Sequence, residues 1–538
     1  MNKIVFTLLV LCTVGCGFKS EKADLIIHNA KIYSLDEQNS VHQAIAIRGD
    51  SIVALGAERE ILNKFSGKQI DAKGATLYPG FIDAHSHLYG YSLTQIQLDL
   101  KGVKSESEML AKIAAFKKAN PTLKAITGRG WDESEWPTKK LPSRTRIDSI
   151  VPNIPLLLGR VDGHSAIVNK AALDLADFNS ETTIEGGYVD YNNGILKEVA
   201  VQVVADKLPF NITDFDKLIN RGANNCIEAG LTTVCDAGLP LEVLKNYQDL
   251  AAKGNLPVRL YAMAEPSQEN FHYYKTQGTV DEPFFKQYAV KAYADGSLGS
   301  RSAALIGDYH DDEGNSGILT TSPDSLEKIA ELCDALGLQL NTHCIGDRAL
   351  NVTLNAYSKF LKPNNDKRWR IEHVQVVQES DLDLFGKLGV VPSVQPTHAT
   401  SDAKWAAERL GPNRLNLSYA YQTLTKQLGW IALGTDFPVE DIDPIATFYS
   451  AVFREDIGGK LNEKFLAEEA LTREQALRGI TIWAALSMHM EDEVGSLETG
   501  KKADLVLLNT DLLEANPEAI KNTSVLLTII GGKVVFKK

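Results

Sequence analysis

No excess of positive charge, no internal repeat and no Cys-x-x-Cys pair occur in these 538 residues, and each absence removes a class of function. Lysine and arginine number 56 against 69 aspartates and glutamates, a formal net charge of -13 that leaves no global basic footprint for nucleic acid. Cysteine is scarce: Cys12, Cys16, Cys226, Cys235, Cys333 and Cys344 are too few for a disulfide scaffold, and the last four read as buried thiols. There is no low-complexity tract, and 44% apolar with 23% charged residues is the composition of a folded chain, not a disordered one. Long hydrophobic runs are also missing, apart from one at the N-terminus.

That run, Ile4 to Val14, follows Asn2-Lys3 and is too short to span a bilayer, but it suits the core of a signal peptide. It ends in Thr13-Val14-Gly15-Cys16, after which the chain turns polar. Small residues before a cysteine resemble a bacterial lipoprotein processing site, although Thr13 stands where leucine is usual. The expectation is a lipoprotein-type signal peptide over residues 1–16 and an exported protein. A lipid on Cys16 would anchor it to a membrane, periplasmic or at the cell surface. An ordinary secretory signal with an incidental cysteine is the alternative.

What the sequence does contain is a rhythm. Short segments rich in apolar and β-branched residues each end in polar side chains: Leu77 to His87, then 232–238, 258–265, 289–297, 338–347, 369–375, 390–398 and 431–440. Stretches of helical periodicity lie between most of them, such as 325–337 and 212–230, the latter closing on a glycine suited to a helix C-cap. Strand–helix alternation repeated eight times predicts an α/β chain folded as a (β/α)8 TIM barrel over residues 80–493. The gap after the first strand is far too long for one helix, so about 100–210 reads as a subdomain inserted there. Alternating strands at both termini predict a small β-sandwich domain built from 23–79 and 494–538.

In such barrels functional groups sit at the C-terminal ends of the strands. The first strand ends in His85 and His87, which alternation turns to the same side. Taken alone, a His-x-His pair is as consistent with hydrogen-bonded core histidines as with a metal site. The other strand ends, however, offer Lys291 (fourth), His343 (fifth), His373 (sixth) and Asp436 (eighth). Four imidazoles and a carboxylate converging at one mouth are suitable ligands for one or two divalent ions such as zinc.

The motifs PGFIDAHSHL, DGHSA, KAYADGSLGSR, HCIGDRA, RIEHVQ, GTDFPVE and GSLETGKKADLVLL occur in that order. Together they resemble the metal-dependent amidohydrolase superfamily, specifically amidohydrolase family 3, from about residue 24 to the C-terminus. The resemblance implies hydrolysis of a C–N bond in a small amide-type substrate. It assigns metal ligation to His85, His87 and Asp436 at one ion and to His343 and His373 at a second. Lys291 would bridge the two as a carbamate formed with CO2; its alternative is a free lysine paired with Asp295 or with a substrate carboxylate. A metal lowers the pKa of bound water from about 15.7 to about 7. Asp436 would then take the water's proton and pass it to the leaving nitrogen.

In the insertion, Asp162-Gly163-His164 and Trp131 are expected to cover the substrate, His164 by hydrogen bonding and Trp131 by apolar contact. Arg301, Asp295 and Glu198 read as charge pairs that shape loops. Two other functions compete with the hydrolysis of an N-acyl or N-formyl amine: a metal-dependent deaminase, and a surface lipoprotein that binds metal or ligand without turnover. Retention of Asp436 argues against pure binding, and assaying amine and ammonia release separately discriminates all three.

Overall fold

A computed structural model describes residues 20–538 apart from 122, 210–214, 460 and 462. The signal peptide and the expected lipid on Cys16 therefore lie outside the described residues. Among the described residues no helix is long and apolar enough to cross a membrane.

Parallel strands β1 (Phe81–Ser86), β2 (Leu231–Leu239), β3 (Arg259–Ala264), β4 (Phe285–Tyr293), β5 (Gln339–Cys344), β6 (Arg370–His373), β7 (Val391–Val394) and β8 (Ala432–Leu433) follow one another in one sheet. Each overlaps one of the eight segments read from the sequence, the fourth starting four residues earlier, at Phe285. Between β8 and β1 the circle is closed by other means. The buried Asp83 carboxylate accepts hydrogen bonds from the Thr435 amide (3.0 Å) and hydroxyl (2.6 Å). Asp436 N–H donates to the His85 carbonyl and His87 N–H to the Phe437 carbonyl. The seam thus ties together the two strand ends that carry His85, His87 and Asp436.

The helices between strands follow from local chemistry. Helix Pro323–Leu336 starts at Ser322, whose side chain accepts from the Ser325 amide, and stops at Gly337, which takes the left-handed conformation that glycine adopts without steric cost. Helix Phe215–Glu228 buries Leu218, Ile219, Gly222, Ala223, Cys226 and Ile227, spaced three or four apart on one face. A Cβ at Gly222 would lie 2.2 Å from Ser92 Oγ on helix Leu88–Thr94, so glycine lets the two helices approach without displacing that hydroxyl.

The insertion forms its own six-stranded sheet, from Leu98–Asp99 to Ile195–Glu198, over a core that includes Met109, Ile113, Trp131, Trp136 and Leu158. At the chain ends, Leu505–Leu508 pairs antiparallel with Thr76–Pro79, joining the two termini in one sheet. That sheet packs on a second, N-terminal sheet through Leu25, Ile27, Ile45 and Ile47 against Leu77, Leu505, Leu507 and Ile529. Each such side chain taken fully from water stabilises the sandwich by about 1.5–3 kcal/mol. The fold is an α/β barrel with an insertion after its first strand and a composite β-sandwich.

Candidate active site

The strand ends bring His85, His373 and Asp436 together, all buried, with one ligand atom from each lying within 4.8 Å of the others. Asp436 Oδ1 stands 3.2 Å from His87 Nε2 and 3.6 Å from His85 Nε2. This oxygen is buried and accepts no hydrogen bond among the described residues. A buried carboxylate oxygen left bare costs free energy unless a cation sits on it.

The outer nitrogens of the rings are fixed by neighbours. His85 Nδ1 meets Glu372 Oε2 at 2.6 Å, His87 Nδ1 meets the Ala237 carbonyl at 3.1 Å, and His373 Nδ1 meets Gln395 Oε1 at 2.7 Å. Each contact leaves Nε2 for the interior, the arrangement in which outer partners orient metal-bound histidines. Glu372 is itself held by Arg370, whose Nε and Nη2 lie 2.7 and 2.6 Å from Oε1. Burial opposes the Glu372 charge, but Arg370 and then His85 hold its carboxyl well below the usual range.

Burial lowers the His85 imidazole to about 4, assisted by the Lys291 ammonium nearby. Burial, then neighbouring charged groups, also depress His343 and His373. Neutral imidazoles are the form that binds metal. Burial opposes ionisation of Asp436, yet the His87, His85 and His373 rings hold it well below the usual carboxylate range. Imidazoles depressed at His85, His343 and His373, a carboxylate held low and a bare oxygen together fit a divalent cation. The backbone there is strained as well: His373 (φ 75°) and Asp436 (φ 61°) lie in the left-handed region, which the surrounding structure must enforce.

His373 groups with His85 and Asp436, and it also lies beside His343, with which the family resemblance pairs it. The rings of His343 and His373 are only 4.4 Å apart, but His343 Nε2 is turned towards the Gly296 carbonyl at 3.3 Å. Lys291 is buried, with Nζ 3.1 Å from His85 Nε2. It does not pair with Asp295, whose carboxylate accepts the amides of Ala304, Ile345 and Gly346 and ties together the loops after β4 and β5.

A cavity of about 750 Å³ opens on these groups, and His164 and His398 line it with His343, His373 and Asp436. His164 Nδ1 lies 2.8 Å from Glu198, and its ring is 5.0 Å from that of His343. Burial works against its charge, but the Glu198 carboxylate prevails and lifts it to about 9. Trp131 is placed differently from the expectation. It is fully buried in the core of the insertion, 6.4 Å from the Trp136 ring, and its indole N–H donates to the Leu158 carbonyl. The register of its strand shifts between Arg129 and Trp131, which removes the indole from the cavity.

Sequence reading missed Glu372, Gln395 and His398. The first had a signal: Arg370 and Glu372 are two apart on β6 and so share a face. His398 had none. Its Nε2 is 3.5 Å from Asp436 Oδ2 and accepts or donates no hydrogen bond among the described residues.

A barrel with such a mouth defines a metal-dependent hydrolase. The chain belongs to the amidohydrolase family, whose profile matches residues 68–536, and it acts on carbon–nitrogen bonds. It is 31% identical to the protein LONG AFTER FAR-RED 3 of Arabidopsis thaliana, over 100% of this chain and 95% of that protein. It is 26% identical to N-substituted formamide deformylase of Arthrobacter pascens, over 96% and 99%. The crystal structure of an uncharacterized metal-dependent hydrolase from Pyrococcus horikoshii superposes with a TM-score of 0.77 at 27% identity, covering 92% of this chain and 99% of that one.

Proposed function

We propose that the protein hydrolyses a linear, non-peptide C–N bond, that of an N-acyl or N-formyl amine, with one or two divalent ions, zinc foremost, held by the β1, β5, β6 and β8 side chains. The observation that carries this is the bare Asp436 Oδ1 among the strand-end imidazoles at the floor of the cavity. A divalent ion bound there would acidify water and polarise the substrate carbonyl.

The chain's own groups divide the remaining work. Oδ1 of Asp436 faces the histidines, so Oδ2, on the His398 side, is the oxygen free to hold a proton. It takes that proton from water and returns it to the leaving nitrogen. His164, its Nδ1 occupied by Glu198, has Nε2–H left to donate to the carbonyl oxygen. Lys291 is proposed to add CO2 through its amine, forming a carbamate and releasing a proton. Burial lowers its pKa, which favours the neutral amine that this reaction needs.

The test is a panel of N-acyl and N-formyl amines, with amine and ammonia measured separately, on protein stripped with a chelator and reloaded with zinc. Amine release that disappears on stripping and returns with zinc is the expected result. Ammonia release from an aminated heterocycle would replace this reading with deamination, and zinc binding without either product would replace it with a binding protein.

A further inference from the structure

Among the described residues, the lysines and arginines lining the cavity and the cleft beside it are, with one exception, neutralised by carboxylates. Arg160 pairs with Asp132, Glu133 and Asp162, Arg409 with Asp311, Lys101 with Asp441, and Lys104 and Lys404 with Glu135. The exception is Arg129. It is partly buried on strand Ile126–Trp131, its Nη2 donates to the Val161 carbonyl at 2.9 Å, and it has no carboxylate partner among the described residues. Its Nε is buried with no hydrogen-bond acceptor among the described residues.

Arg129 lines a cleft of about 410 Å³ between the insertion, helix Leu88–Thr94 and residues 438–442. Lys101, Gly130, Val161, Glu440 and Asp441 line both this cleft and the cavity over Asp436, so the two adjoin. The backbone is shaped for close approach. Gly130 (φ 110°) leaves no room for a Cβ, which would meet the Lys101 amide at 2.7 Å, and a Cβ on Gly163 (φ 78°) would lie 3.2 Å from Arg129 Nη2. Burial works against the guanidinium's charge, and the carboxylates that favour it, Asp436 and Asp162, both face the cavity.

A guanidinium partly withdrawn from water and left with spare donors is costly unless something it binds completes it. Its planar fork matches a carboxylate. Asp441 is held by Lys101, and the Asp99 and Glu440 carboxylates on the same cleft weigh against a phosphate dianion more than against a monoanion. We propose that Arg129 docks a carboxylate of the substrate, so that the C–N bond presented to Asp436 belongs to an N-acylated amino acid. This rests on the C–N hydrolase reading above.

The test compares N-acetylglycine with its methyl ester on zinc-loaded protein, wild type against Arg129→Met and Arg129→Lys, with folding checked by circular dichroism. Wild type should prefer the acid, mainly through KM. Arg129→Met should reduce the acid-to-ester ratio of kcat/KM by about 10- to 100-fold, and Arg129→Lys should recover part of it. Absence of an acid preference in wild type, or an unchanged ratio in Arg129→Met, would overturn the proposal. Binding of both compounds is also measured by calorimetry. Should neither compound turn over, binding of the acid that Arg129→Met abolishes would uphold the docking role while removing the hydrolase reading for such amides. Binding of acid and ester alike, or acid binding that Arg129→Met leaves intact, would reject it.

Discussion

Replacing Asp436 with asparagine should leave the fold intact and lower kcat by about 10²- to 10⁴-fold at saturating zinc, the loss expected when general acid–base help is removed. Asp436 holds two jobs on two oxygens. Oδ1 sits among the His85 and His87 nitrogens with no hydrogen-bond donor among the described residues, and Oδ2 faces His398 and the cavity. An amide oxygen can still approach a cation, but an amide nitrogen cannot accept and return a proton. Steady-state kinetics together with the bound-metal content separate the two jobs. Near wild-type kcat in the variant would remove Asp436 from the proton transfer.

The largest effect on stability is expected away from the site, where the barrel meets the sandwich. Arg259 on β3 and Asp504 are both buried and form two hydrogen bonds, Nε to Oδ2 at 2.6 Å and Nη2 to Oδ1 at 3.1 Å. Oδ1 also accepts the Gly531 amide, which joins the last hairpin to the pair. Asp504→Ala would leave Arg259 with the Pro283 carbonyl and the Phe284 ring, 4.4 Å away, as its remaining partners. Breaking a buried pair by removing one member costs about 3–5 kcal/mol, whereas replacing both members with apolar residues is often neutral. Asp504→Ala should therefore lower the first unfolding transition in a urea titration markedly, and Arg259→Met with Asp504→Leu should restore most of it. A single variant that unfolds like wild type would show that this pair does not hold the two units together.

The barrel was legible because a strand's polar end interrupts its apolar run. His343 and His373 both stand where such runs stop, and their positions identified β5 and β6 before any contact was known. Alternation also placed His85 and His87 on a common side, and both reach Asp436 Oδ1. Legibility ended where backbones depart from regular strands. The register shift beside Gly130 turns Trp131 into the insertion core and leaves Arg129 on the cleft, and no periodicity announces it. Left-handed backbone at His373 and Asp436 likewise sets which nitrogens and oxygens meet, so the grouping of His373 with His85 could not be read from spacing. The contacts of Glu372 with His85 and of Asp83 with Thr435 link residues far apart in the chain, and only the closed barrel brings them together.

A divalent ion held where β1, β6 and β8 end should be visible by anomalous X-ray scattering at the zinc edge from crystals of zinc-loaded protein. The expected result is a strong peak enclosed by His85, His373 and Asp436, lost in crystals soaked with chelator together with activity in the same preparation. A strong peak elsewhere with none among these three residues, in protein that still turns over substrate, would contradict that placement.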